Sequence, residues 1–148
     1  MRQLYVGTAV LGAALVAAPA LGYAQAVNLD NYVDAGKYEY QSNCAICHGD
    51  QGKGDGTFNV LLKTKAADLT LLSKNNSGVF PVNRTYEIIS GGTDVVGHGP
   101  RNMPIWGDYY KTQATSELSP SSKQADVRSF VRARILALVE YISTLQAK

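Results

Sequence analysis

Cys44-Ala-Ile-Cys47-His48 places two thiols and an imidazole within five residues, and its reading decides what the rest of the chain must do. In this spacing the two thiols can add across the vinyl groups of one haem as thioethers, and the histidine that follows at once can reach the iron as proximal ligand. The same atoms admit three rival uses. A Cys-x-x-Cys pair can be a redox-active disulfide, but that form sits in a βαβ setting with the first cysteine opening a helix, whereas here the expected helix lies before the pair. A structural zinc ion needs four ligands, and only Cys44, Cys47, His48 and His98 are on offer, two of them adjacent and hard to aim at one tetrahedral ion. A plain Cys44–Cys47 disulfide would close too small a loop to constrain much of an unfolded chain.

Context upstream favours the haem reading. Arg2 gives a small positive start, Leu4 to Leu21 is almost wholly apolar, and Ala24-Gln25-Ala26 offers a small-x-small cleavage site. Residues 1–26 therefore read as a secretory signal peptide, with Gly22-Tyr23-Ala24 a second cut and an uncleaved membrane anchor the alternative, since the apolar run approaches the ~20 residues that span a bilayer. Export places a lone thiol pair in an oxidising compartment, where it would oxidise unless something else consumed it. Haem attachment consumes both thiols. The expected location is periplasmic, or the outer face of the inner membrane if the segment stays.

Residues 27–148 suit one small domain with a single core. Removing residues 1–26 takes away Arg2 alone and leaves 13 basic against 12 acidic side chains. That balance provides no basic field for nucleic acid.

Along this domain, residues 27–33 read as a polar lead and Asp34 as the cap of a helix running to Asn43. Gly49, Gly52, Gly54 and Gly56 make the next stretch a loop. It fits neither phosphate-binding nor dinucleotide spacing and is expected to skirt the haem edge. Asp68 starts a short helical turn that Asn75-Asn76 ends. Asn83 caps a helix through Ser90, with Gly91 in the left-handed position past its end and Tyr86 and Ile89 inward. Gly92 to Pro120 holds Gly97, Gly99, Pro100, Pro104 and Gly107 and reads as a long irregular segment ordered by a cofactor. Ser121 and Gln124 form a capping-box pattern opening the clearest helix, on which Val127, Phe130, Val131, Ile135, Leu138, Tyr141, Ile142 and Leu145 make an apolar stripe. There is no internal repeat and no convincing strand ladder.

With these residues in view, the chain resembles the class I cytochromes c, small all-α monohaem electron carriers, over nearly all of 27–148. Gly36 and Tyr40 match that family's small-then-aromatic pattern on the first helix, and Leu138 and Tyr141 its Leu-x-x-aromatic pair on the last. The resemblance implies an all-α cytochrome c fold, three to five helices wrapped around one covalently bound haem (heme c), with the terminal helices crossing at the small residue. Asp68-Leu69-Thr70 and Asn102-Met103-Pro104-Ile105-Trp106-Gly107 also resemble bacterial members, and by that likeness Met103 is the distal iron ligand. A soft thioether suits haem iron, and the only other methionine is Met1. His98 is the competing ligand. Trp106 either packs beside the haem and bonds a propionate or fills core, and Arg101 neutralises a propionate or sits in water. The family often carries a proline whose carbonyl accepts from the proximal imidazole. Thr57 and Ala66 stand in the comparable places, which leaves the acceptor for His48 unnamed.

The expected function is one-electron transfer between redox protein partners, membrane-bound respiratory or dehydrogenase complexes among them. No small-molecule substrate and no catalysis at the metal are expected of what is read as a monomer. A thiol-disulfide oxidoreductase using Cys44 and Cys47, and a membrane-tethered haem subunit of an oxidase or dehydrogenase, are the alternatives.

Overall fold

A computed structural model describes residues 29–92 and 103–147, and within them all regular structure is helical, with no strand. The five α-helices are α1 (Leu29–Asn43), α2 (Ala45–His48), α3 (Val82–Ser90), α4 (Trp106–Glu117) and α5 (Gln124–Thr144). Three single 3-10 turns, Thr57–Leu61, Leu69–Leu71 and Lys74–Asn76, punctuate the connection between α2 and α3. The expected signal segment 1–26, His98 and Arg101 lie outside the described residues. None of the described helices is long and apolar enough to cross a membrane.

The core is organised on α5, which packs most extensively on α1 and also against α4 and α3. Val131, Ile135, Leu138, Tyr141 and Ile142 are buried along its stripe, while Arg128, Arg132 and Glu140 are exposed. Ile135 and Leu138 are fully enclosed, as are Tyr40 of α1 and Tyr110 of α4. Enclosing an aliphatic side chain of that size contributes roughly 1.5–3 kcal/mol.

The α1–α5 crossing is close because residue 36 has no side chain. A Cβ there would lie 2.6 Å from the Ala137 carbonyl carbon and 2.9 Å from Tyr141 Cβ, nearer than such atoms pack. One turn on, the Tyr40 and Tyr141 rings meet with centroids 5.2 Å apart, and the Tyr40 hydroxyl donates to the Gly49 carbonyl at 2.7 Å. The same interface buries one carboxylate. Glu39, 3% exposed, pairs with the Arg134 guanidinium and accepts from Tyr110 Oη at 3.0 Å and Asn43 Nδ2 at 3.1 Å. Arg134 reaches Glu117 with its other nitrogen at 2.9 Å. Three helices are thus joined by one desolvated charge, which is tolerable because its oxygens are fully engaged.

Four sequence expectations are corrected. The polar lead is already helical from Leu29, so Asp34 caps nothing. The segment expected to be irregular from Gly92 to Pro120 contains α4. Its signal is weak because only Gly107, Tyr110 and Ala114 are buried on a helix otherwise polar, and Gly107 sits there for closeness: a Cβ would meet the Ser90 backbone. At α5 the pattern at Ser121 and Gln124 is unused. The helix begins after Lys123, whose N–H donates to the Asp126 carboxylate at 2.6 Å. Asn83 lies inside α3, and the cap position is Pro81. Asp68 behaves as expected, accepting from the Thr70 N–H at 2.9 Å, and Gly91 takes the left-handed conformation, φ 84°.

Gly36→Ala separates packing from propensity. Alanine favours a helix by ~1 kcal/mol, but here its methyl must displace backbone, and overpacking costs ~1–3 kcal/mol or more. The variant is expected to unfold at lower denaturant than the wild type. A midpoint unchanged or raised would contradict the crossing.

Candidate haem site

The attachment motif is a helical turn hung from α1. The Cys44 N–H donates to the Tyr40 carbonyl at 2.8 Å, so α1 runs almost directly into α2, and the His48 N–H closes the turn on the Cys44 carbonyl at 2.9 Å. The helix expected before the pair is present, and Cys44 additionally opens the four-residue α2. Both thiols are half-buried and unbonded to each other. Burial, with the Glu39 charge and the Cys47 thiol behind it, pushes the Cys44 thiol up to about 12. A catalytic redox cysteine needs the opposite displacement, towards the thiolate, so the environment of Cys44 weighs against the oxidoreductase reading.

His48 is oriented by the backbone. Its Nδ1 lies 2.9 Å from the Ala67 carbonyl oxygen. A carbonyl only accepts, so Nδ1 carries the proton and Nε2 keeps its lone pair. Burial holds the imidazole below its ordinary pKa, and the bond to Ala67 opposes that only in part. The result is a neutral ring with one nitrogen fixed and the other available, the state a metal-ligating histidine requires. Ala67 is the acceptor that the sequence leaves unnamed. It is the immediate neighbour of the Ala66 considered there, and with no side-chain chemistry to advertise it, only the loop's path reveals it.

The connection carrying Ala67 is tied at both ends. The Gly54 N–H donates to the His48 carbonyl at 2.8 Å, the Leu69 N–H to Gly52 at 2.7 Å, and Gln146 beyond α5 donates to the Leu69 carbonyl at 2.8 Å while accepting from the Ser73 N–H at 2.8 Å. Gly49, Gly52 and Gly54 all have φ between 71° and 79°, which confirms the glycine-rich stretch as loop.

Met103 lies just before α4, and Trp106 is its first residue. Met103 is half-buried and packs against it, as do Cys44, Leu69, Leu72, Phe80, Tyr86 and Trp106. Trp106 belongs to an aromatic group, its ring 5.3 Å from Tyr109 edge-on and 6.4 Å from Tyr110. Cys44, Met103 and Trp106 are thus each partly buried against the same hydrophobic core. Two free thiols, a neutral imidazole with a spare nitrogen and a thioether are a donor set whose chemistry fits a covalently held haem and its iron. A surface cleft of about 530 Å³ lined by Gln41, Ala45, Ile46, Asp50, Lys53 and Asp55 includes none of these donors. Among the described residues no group of three or more histidine, cysteine or carboxylate side chains is placed to hold a metal ion, and His98, the fourth candidate zinc ligand, lies outside them.

The family described as cytochrome C oxidase, cbb3-type, subunit III matches residues 31–118, more than half of the chain and the span from α1 through α4. The chain belongs to this family. It is a c-type cytochrome domain with the all-α fold of that class, and its general chemistry is haem-based electron transfer. Comparison with curated proteins and with solved structures finds no match.

The raised Cys44 pKa has a definite sign. A group whose folded pKa lies above its unfolded value stabilises the fold fully below the unfolded pKa, here about 9, and loses that contribution as pH rises towards about 12. In haem-free protein at pH 8, Cys44 is therefore expected to alkylate far more slowly than a free cysteine and to reach the free rate on denaturation. Equal rates before and after denaturation would contradict this burial.

Proposed function

We propose that this cytochrome domain is a one-electron carrier holding a single heme c through Cys44 and Cys47, with His48 and Met103 as the axial ligands. The observation that carries this reading is the orientation of His48: Nδ1–H on the Ala67 carbonyl, Nε2 left over, one residue from a thiol and four from another. Bound haem supplies one-electron exchange between ferric and ferrous iron. The protein's part would be to hold the haem through Cys44 and Cys47, to engage the iron with His48 and Met103 so that no substrate reaches it, and to keep the surroundings apolar. A thioether ligand and a low-dielectric pocket both favour the ferrous form and raise the reduction potential. Trp106, packed against Tyr109 and Tyr110 on α4, would line the haem pocket.

Export by residues 1–26 would place the domain in the periplasm, and retention of residues 4–21 would hold it on the outer face of the inner membrane. The family's own description names an oxidase subunit, which supports a redox complex at the membrane as partner. Electrons would pass during brief docking of the small contact area usual for redox proteins. Amino-terminal sequencing of the exported protein distinguishes a free carrier, beginning near Gln25 or Val27, from a tethered subunit.

A spectroelectrochemical titration is expected to be reversible and to fit one electron. Met103→Ala should abolish the weak far-red band of the ferric protein, and His98→Ala should leave it intact. Retention of the band in Met103→Ala, or a coordination spectrum that changes in His98→Ala and not in Met103→Ala, would exclude Met103 as ligand.

A further inference from the structure

The connection from Gly49 to Ala67 delivers the carbonyl that orients His48, yet it has little apolar anchorage. Its one stretch of regular structure, the turn Thr57–Leu61, buries no residue, and Phe58, Val60 and Leu61 are 43%, 87% and 70% exposed. A turn that shows its apolar side chains to solvent is not held by the hydrophobic effect. Asn59, half-buried, is the turn's inward side chain. Its Nδ2 donates to the carbonyls of Cys47 at 2.6 Å, Gly54 at 2.9 Å and Gly56 at 3.1 Å, and its Oδ1 accepts from the Ala66 N–H at 2.7 Å. Three carbonyls facing one end of the amide and an N–H facing the other leave no ambiguity about which end is nitrogen. Three acceptors for two protons also means that the donors are shared and the group is saturated.

The two extremes of this set matter most. The Cys47 carbonyl belongs to the peptide that leads into His48, and the Ala66 N–H belongs to the residue before Ala67, whose carbonyl takes the Nδ1 proton. One amide thus spans the two backbone points between which the imidazole is held. We infer that Asn59 is a positioning residue for His48: it fixes the distance between the attachment motif and the Ala67 carbonyl and so keeps the Nδ1–H bond made. Aspartate could still accept from Ala66 but would turn a carboxylate towards three carbonyls, and alanine would leave all four groups without this partner.

The bond from Nδ1–H to a carbonyl makes the imidazole a better donor to a metal, and loss of such outer partners typically weakens a site about 10–100-fold. The consequence for the iron rests on the reading of His48 given above, but the bond itself can be followed without haem. The test compares wild type with Asn59→Ala and Asn59→Asp in two forms. In haem-free protein, the exchange rate of the His48 Nδ1 proton with solvent, read by NMR, should rise about 2- to 12-fold, the factor that one hydrogen bond is worth. In haem-loaded protein, the reduction potential should rise, because a less electron-rich imidazole stabilises ferric iron less. Asn59→Ser, which keeps one donor, should fall between. Unchanged proton exchange, in variants whose helix content is retained and whatever their melting temperature, would overturn the inference and leave Asn59 a purely structural residue. An unchanged potential with faster exchange would equally overturn its part in tuning the iron. A wild type that takes up no haem would instead defeat the carrier reading, and the exchange measurement would still decide this one.

Discussion

The close crossing of α1 and α5 at Gly36 is the constraint on which the other parts depend. It allows Tyr40 to lie against Tyr141 and to hold the Gly49 carbonyl immediately after the attachment motif. It also holds α5 against α1, and Gln146 just past the end of α5 bonds Ser73 and Leu69, the latter two residues from Ala67. Both supports of His48, the motif hanging from α1 and the loop tied to the end of α5, are therefore referred to a single helix contact. A missing methyl group at residue 36 positions an imidazole twelve residues away.

Polar ties then do what apolar packing in so small a core does not. Glu39 is charged and nearly inaccessible, yet Arg134, Tyr110 and Asn43 all bond it, so α1, α4 and α5 meet in one orientation. Replacing such a pair with apolar residues is often neutral, whereas removing one partner costs ~3–5 kcal/mol because the other charge is left buried. Asn59 performs the analogous service for the loop, with neutral groups. In both cases a single side chain satisfies several backbone or side-chain groups that burial would otherwise leave without partners.

How far the sequence disclosed this structure depends on how strongly each part is written in side-chain type. The α5 stripe is legible because Val131, Ile135, Leu138 and Ile142 recur at helical spacing, and Gly36 is legible because a mid-helix glycine demands a packing reason. The helix α4 is not, since it follows several glycines and prolines and buries only Gly107, Tyr110 and Ala114. The loop glycines and Asp68 announce turns by their own chemistry, whereas the caps expected at Asp34, Asn83 and Ser121 fail because capping residues are common and tertiary packing selects the boundary. At the site, the cysteines, His48 and Met103 stand out by type. Ala67 contributes only a carbonyl, and Asn59 looks like any loop asparagine until the fold shows four partners around it.

Cofactor attachment is the claim on which the functional account stands, and the intact mass of the exported protein under denaturing conditions tests it most directly. The account predicts a mass exceeding that of the processed polypeptide by one haem, lost when Cys44 and Cys47 are both replaced by alanine. A mass equal to the polypeptide alone, from a host that matures c-type cytochromes, would contradict it.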